Sequence, residues 1–207
     1  MISISLIRYM FLIYHRQLEN LKNIIKGCIA KEPKFQELLY EQYRGFALKV
    51  AFRYIYTYEK ATYVVNDSFV KLFNNFTSFR TGSDEENEKM LMGWLKKIII
   101  NTAIDQLRRD QMLPEIGGIP SYAYETTDNY YNADQVALYN DLISLVKLLP
   151  PHYRSVFNLY VIDGYSHAEI ADMMQTTIGT SKSHLSRARN LLQEGIKKME
   201  EIKICRI

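Results

Sequence analysis

The chain has 207 residues, 47% hydrophobic and 24% charged, which makes it a globular sequence of one or two domains and excludes a disordered one. A formal charge of +3 excludes a protein that is basic throughout, so any surface for nucleic acid must be local. Cys28 and Cys205 stand far apart without metal-ligand spacing, which argues against a disulfide framework or a zinc site and for a reducing compartment.

Met1 to Tyr14 is mostly apolar, but Arg8 interrupts it, no small-residue cleavage site follows, and the run is too short to span a bilayer. Residues 1–20 are expected to be an extension of unknown role, with translation beginning at Met1 or Met10, and the protein is expected to be cytoplasmic. Leu21 to Ile29 and Phe35 to Tyr54 read as helices separated by Pro33. In the second, Phe35, Leu38, Leu39, Phe46, Val50 and Tyr54 are expected to form the apolar face. A third helix over about Ala61 to Asn75 buries Val64, Val65, Phe69, Leu72 and Phe73 and shows Asn66, Asp67, Val70 and Lys71 to solvent or to a partner.

A turn-rich loop, Thr77 to Asn87, leads into a strong helix from Lys89 or Met90 to Arg109. Leu95, Ile98, Ile99, Ala103 and Leu107 should face inward, whereas Trp94, Lys97, Asn101, Asp105 and Arg108 recur at spacings of three and four. Such a stripe suits stacking on and hydrogen bonding to unpaired bases. Trp94 in the core with a solvated remainder explains the same spacing. From Asp110 to Val146 there are six acidic residues and no Lys or Arg, and Pro114, Gly117, Gly118 and Pro120 break regular structure. That stretch reads as an acidic linker over residues 111–134, serving either solubility or occupation of a basic channel.

Residues 135–207 open with a helix carrying Val136, Leu142, Leu145, Val146 and Leu149. Pro150-Pro151 stops it and starts another, with Tyr153, Val156, Phe157 and Tyr160 at helical spacing and Gly164 as its C-cap. Ser166 followed by Glu169 is a capping box that begins the next helix, which carries Ile170, Ala171 and Met174 on one face. Gln175 to Thr177 breaks that pattern, and Thr177 caps a last helix from Ile178. At about 100° per residue, Ile178, Ser181, Leu185, Ala188 and Leu192 share one side. Lys182, Ser183, Ser186, Arg187 and Asn190 lie nearly opposite, and His184 and Arg189 flank them. No carboxylate occurs from Met173 to Gln193. Basic and hydroxyl side chains on one helix face suit a DNA major groove, although a solvated basic face has the same composition.

Three stretches together resemble the extracytoplasmic-function group of the sigma-70 family of bacterial RNA polymerase sigma factors. Leu148 to Phe157, Asp163 to Ala171 and Gly179 to Arg189 are similar to that family's region four. Trp94 to Ile98, Asn101 to Ala103 and Asp105 to Arg109 resemble the end of region two, and Val65 to Leu72 its polymerase-binding helix. The resemblance implies an all-α fold of two small helical domains joined by the acidic linker, with residues 21–110 as a region-two-like domain and 135–207 as a helix-turn-helix domain. It implies docking of Asn66, Asp67, Val70 and Phe73 on the polymerase β′ subunit. Phe79, Arg80, Trp94, Lys97, Asn101, Asp105, Arg108 and Arg109 would line the −10 strand. Thr180, Lys182, Ser183, His184, Ser186, Arg187 and Arg189 would contact the −35 duplex. The implied partners are core RNA polymerase (β′ and β), promoter DNA and an anti-sigma factor, with no small-molecule substrate, cofactor or metal.

Three positions depart from the family pattern: His184 where Arg is usual, Ser181 where Val is usual, and Asn66-Asp67 for a more common Gln-Glu or Gln-Asp. A free-standing helix-turn-helix regulator is the competing reading, and the stripe from Trp94 to Arg108 counts against it. An enzyme is disfavoured, because no nucleophile elbow, phosphate loop or metal spacing occurs.

Overall fold

The computed structural model describes residues 21–112 and 133–204, and the described secondary structure is helical with no strand. The N-terminal extension, nearly all of the acidic linker and Cys205 lie outside the described residues. Two compact units are present. One combines Glu59–Thr102 with the described residues up to Ala51; the other combines Phe52–Tyr58 with the described residues from Ala103 onward.

In the first unit, residues 21–29 form helix α1, with Leu21, Ile24, Ile25 and Cys28 buried at helical spacing. A Cβ on Gly27 would lie 2.1 Å from the Phe35 ring, so only glycine lets α1 approach α2 there. Helix α2 runs Pro33–Ala51 and buries Leu39, Tyr43, Ala47, Val50 and Ala51. Its inward face is therefore rotated from the expected one. Leu38 is exposed and Phe35 and Phe46 are half-buried, because Tyr43 and Ala47 occupy the contact row with Leu39. The helix also stops three residues before Tyr54. Helix α3, Tyr58–Asn74, buries Ala61, Val64, Val65, Ser68, Phe69 and Leu72, and the Ser68 hydroxyl donates to the Val64 carbonyl at 2.6 Å.

A 3₁₀ turn at Phe76–Ser78 precedes helix α4, Asp84–Arg109. That helix starts about five residues before the expected Lys89. Ser83 is the reason: the Glu86 carboxylate accepts from both its backbone N–H and its hydroxyl. The buried Asn87 side chain pairs with the Gly82 backbone on both of its polar atoms. Leu91, Leu95, Ile99, Ile100, Ala103, Ile104 and Leu107 are buried along α4.

In the second unit, helices α5 (Ala133–Leu148), α6 (Pro151–Phe157), α7 (His167–Met173) and α8 (Ile178–Ile204) gather around α8. The missing Cβ of Gly195, which would sit 2.8 Å from Leu145, sets a close approach of α8 to α5. After α6 the chain makes one π turn, Asn158–Ile162, instead of continuing regularly to Gly164. The wider turn keeps Asn158 and Leu159 buried and puts Tyr160, Val161 and Ile162 outside. Gly164 at φ 76° then redirects the chain into α7.

Buried polar groups fix this corner. Asp163, whose side chain is fully buried, accepts from Arg53 at 2.8 Å and from the Tyr54 hydroxyl. Arg154, only 4% exposed, donates to the carbonyls of Tyr54 and Lys147 and lies 4.0 Å from the centre of the Tyr56 ring. The Asn158 amide donates to the Arg53 carbonyl. Segment 52–58 thus gives its backbone to α6 rather than prolonging α2. Asp163→Ala strands the buried Tyr54 hydroxyl and the Arg53 cation. It should cost about 3 kcal/mol, the low end for breaking a buried pair because Arg53 is partly exposed. Urea unfolding followed by circular dichroism should show a clearly lower midpoint, and an unchanged midpoint would remove the cluster from any structural role.

Candidate nucleic-acid interface

The helix-turn-helix is built from local caps. The Ser166 side chain accepts from the Glu169 backbone while Glu169 reaches back to Ser166 at 2.8 Å, closing the expected capping box on α7. Gln175 at φ 51° ends α7. The Thr177 hydroxyl accepts from the Thr180 N–H at 3.0 Å and caps α8. Ser181, Leu185 and Ala188 are buried against the rest of the unit. Ile178, expected to join them, is 48% exposed. The first turn of α8 lies before the buried row begins.

Lys182, Ser183, Ser186, Arg187, Arg189 and Asn190 are exposed, with Thr180 and His184 half-buried. The expected contact residues therefore share the outer surface of α8. Among the described residues, none of Lys182, Arg187 and Arg189 makes a salt bridge with a carboxylate. Aromatic and imidazole rings bracket this surface. On one flank His184 lies 5.1 Å from the Tyr153 ring and 5.7 Å from the His152 ring, and Arg187 donates to the Tyr153 hydroxyl at 3.2 Å. On the other, His167 stacks on Tyr160 at 4.5 Å, with its Nδ1 2.9 Å from Ser181 Oγ and Arg189 over Tyr160. Sequence reasoning missed both brackets. The helical wheel of α8 gives no sign of them, because Tyr153, Tyr160 and His167 come from preceding elements.

The first unit carries a different surface. Phe79 stacks on Trp94 with ring centres 5.7 Å apart and planes 23° apart, and both also pack on the buried Phe76. Trp94 is half-buried, between the two alternatives its spacing left open. Arg80, Lys97 and Asn101 are exposed on this unit. On α3, Asn66 and Val70 are exposed and Asp67 and Phe73 half-buried. Asn66 accepts from the Tyr40 hydroxyl at 2.9 Å. Lys71 holds Asp67 at 2.9 Å and donates to Thr102 at 3.1 Å, which anchors α3 to α4. Asp105, Arg108 and Arg109 lie at the α4 end that belongs to the second unit. There Arg108 pairs with Asp105, and Arg109 donates to the Asp105 carbonyl at 3.4 Å.

Comparison with known proteins places this geometry. The family description "Sigma-70, region 4" matches residues 139–192, the helix-turn-helix segment. The chain is 26% identical over 178 residues to the ECF RNA polymerase sigma factor SigE of Mycolicibacterium smegmatis, covering 83% of this chain and 65% of that protein. It is 23% identical over 189 residues to the ECF RNA polymerase sigma factor SigW of Bacillus subtilis, covering 86% of this chain and 96% of that one. Residues 139–192 thus match sigma-70 region 4, and over most of its length the chain is similar to ECF RNA polymerase sigma factors. A solved structure of the sigma factor RpoE with the anti-sigma factor NepR from Bartonella quintana is 24% identical, covers 86% of this chain and 95% of that one, and has a TM-score of 0.45. No helix among the described residues is long and apolar enough to cross a membrane.

The electrostatics of the α8 surface are tuned by burial. His184 Nδ1 is buried without a hydrogen-bond partner. That desolvation, together with His152 and Arg187, holds the His184 pKa below its ordinary 6.5. The folded chain therefore binds this proton less readily than the unfolded chain does. Stability from the neutral His184 is complete above about pH 6.5, the unfolded-state value, and is lost as pH falls from there through the lower folded-state pKa. Thermal unfolding between pH 8 and pH 5.5 should show the midpoint falling with acidity. The fall should be shallower in His184→Gln, and an equal fall in both proteins would remove His184 as a source.

Proposed function

We propose that this sigma factor binds core RNA polymerase and directs it to promoters, reading the −35 duplex with α8 and capturing the −10 strand with the first unit. The observation that carries the reading is the outer surface of α8, where Lys182, Arg187 and Arg189 form no salt bridge with a carboxylate among the described residues and lie beside hydroxyls. A helix that presents unneutralised cations beside hydroxyls matches the phosphates and base edges of a major groove. Lys182, Ser183, Ser186 and Arg187 reach bases. Thr180, His184 and Arg189 lie toward phosphates.

Residues 21–110 act as the domain that binds polymerase and the −10 element, and residues 135–207 as the −35 domain. The acidic stretch 111–134 is the linker, drawn toward the basic RNA exit channel of polymerase, and residues 1–20 are an extension to which no role attaches. Asn66, Asp67, Val70 and Phe73 dock on β′. Val70 supplies exposed apolar surface beside polar groups already oriented by Tyr40 and Lys71. Phe79, Arg80, Trp94, Lys97 and Asn101, with Asp105, Arg108 and Arg109 further along α4, receive the unpaired −10 strand. The Phe79–Trp94 stack is a platform of the kind on which bases stack, each for about 1–3 kcal/mol. The partners are core polymerase through β′ and β, promoter DNA, and an anti-sigma factor as for the Bartonella quintana sigma factor; the location is the cytoplasm.

The primary test is transcription by purified core polymerase, with and without this protein, across fragments of its own genome. Specific initiation that requires the protein is the expected outcome. Absent stimulation together with absent core binding would favour a free-standing regulator. Arg187→Ala should weaken −35 recognition by about 1–3 kcal/mol. Equal affinity of the unmutated holoenzyme for matched and scrambled −35 sequences would sink that role. Asn101→Ala should leave core binding intact and impair open-complex formation, so normal melting in permanganate footprinting would exclude strand capture by Asn101.

A further inference from the structure

His167 lies outside the recognition helix, yet its ring is held against the flank of that helix by two contacts. It is the first residue of α7, and its plane rests on Tyr160 at 4.5 Å and 24°. Its Nδ1 is engaged by the fully buried hydroxyl of Ser181 at 2.9 Å. One nitrogen, Nε2, is left for anything outside.

The charges around this ring are one-sided. Burial of the ring, and after it the positive charges of Lys182 and Arg189 of α8, hold its pKa below 6.5. Tyr160 supplies a neutral ring, itself overlaid by Arg189. Two nearby carboxylates are committed elsewhere, Glu169 to the Ser166 cap and Asp163 to Arg53 and Tyr54. Asp172, the other acid of α7, is on an exposed position one helical turn beyond Glu169. An imidazole held by Tyr160 and Ser181 under the influence of two cations, with Glu169 and Asp163 engaged elsewhere, is arranged for an anion that arrives from outside.

Resting on the reading of α8 as the −35 helix, we propose that His167 is a further duplex-contacting residue, whose Nε2–H donates to a backbone phosphate beside the one met by Arg189, with Ser181 as its positioning residue. Ser181 suits this because a hydroxyl can serve both charge states. When the ring is neutral, the Ser181 O–H donates to Nδ1 and keeps the proton on Nε2. When the ring is protonated, Nδ1–H donates to Ser181 Oγ and Nε2–H still points outward. The contact is coupled to protons. In the free protein the ring is neutral near pH 7.5. A phosphate next to Nε2 favours the cation, so the complex takes up a proton and binding strengthens as pH falls from 8 toward 6. The limit is about tenfold per pH unit for one proton.

The test uses holoenzyme and two fragments of a promoter recovered by the genome-fragment transcription, one with its own −35 element and one with that element scrambled. Affinity is measured over potassium chloride concentration at pH 6, 7 and 8. A phosphate contact carries no sequence information, so His167→Ala should weaken both fragments by the same factor. It should also reduce the slope of log affinity against log salt by about one at pH 6 and flatten the gain from pH 8 to pH 6. His167→Lys should restore the pH 6 affinity at all three values, and Ser181→Ala should lower affinity in the His167 background but not in His167→Ala. Circular dichroism melting confirms that each variant is folded. Unchanged salt slope and pH response in His167→Ala, or failure of His167→Lys to remove the pH dependence, would overturn the proposal. Arg187→Ala separates the two readings. If it abolishes discrimination between fragments while His167→Ala is silent, only the His167 contact is wrong. If the unmutated holoenzyme discriminates between neither fragment, the −35 reading fails, while the scrambled fragment still decides the phosphate contact.

Discussion

The second unit depends on the buried charges of Arg154 and Asp163. A guanidinium at 4% exposure is tolerable only where its donors find acceptors, and here two backbone carbonyls and the face of Tyr56 receive it. Asp163 is held in the same way by Arg53 and Tyr54. Because these groups leave little alternative, α6, the π turn and the Gly164 corner are set together. That corner aims α7, and α7 with α6 seats α8. The position of the outer α8 surface is thus decided by side chains that are not part of it.

The π turn has a further consequence. A regular helix from Pro151 to Gly164 would have kept a single apolar row facing the unit. The wider turn keeps Leu159 inside and turns Tyr160 out. Tyr160 can then stack on His167 and underlie Arg189. The flank of the recognition helix is therefore shaped by a backbone irregularity two elements away.

Local signals were legible in the sequence, and long-range ones were not. Ser166 with Glu169 and Thr177 as a cap are short-range donor and acceptor arrangements, and they form as read. Ser83 with Glu86 carries the same spacing; weighing it would have moved the start of α4 back to Asp84. The end of α2 at Ala51 has no comparable local cause. Arg53 and Tyr54 leave the helix for Asp163, which is 110 and 109 residues away, and no periodicity encodes that pairing. Site residues divide along the same line. The outer surface of α8 follows from one helix and its 3.6-residue repeat, whereas the brackets of Tyr153 and His152 and of Tyr160 and His167 exist only once the helices have packed.

The two candidate surfaces answer to different solution variables. On α8 and its α7 flank, cations that meet no carboxylate among the described residues lie beside two histidines whose pKa values burial and neighbouring positive charge hold low, so that duplex contact there, as proposed, would be sensitive to salt and to protons. On the first unit, the Phe79–Trp94 stack is neutral, and Lys71 is already paired with Asp67. Stacking on such a platform depends little on ionic strength or pH. On the proposed reading, stacking of a melted strand on this platform would respond less to acidity than the grip of the α8 surface on the upstream duplex. Promoters that differ in the quality of their −35 element would then be ranked differently as salt and acidity change, through the same two surfaces and without any change of fold.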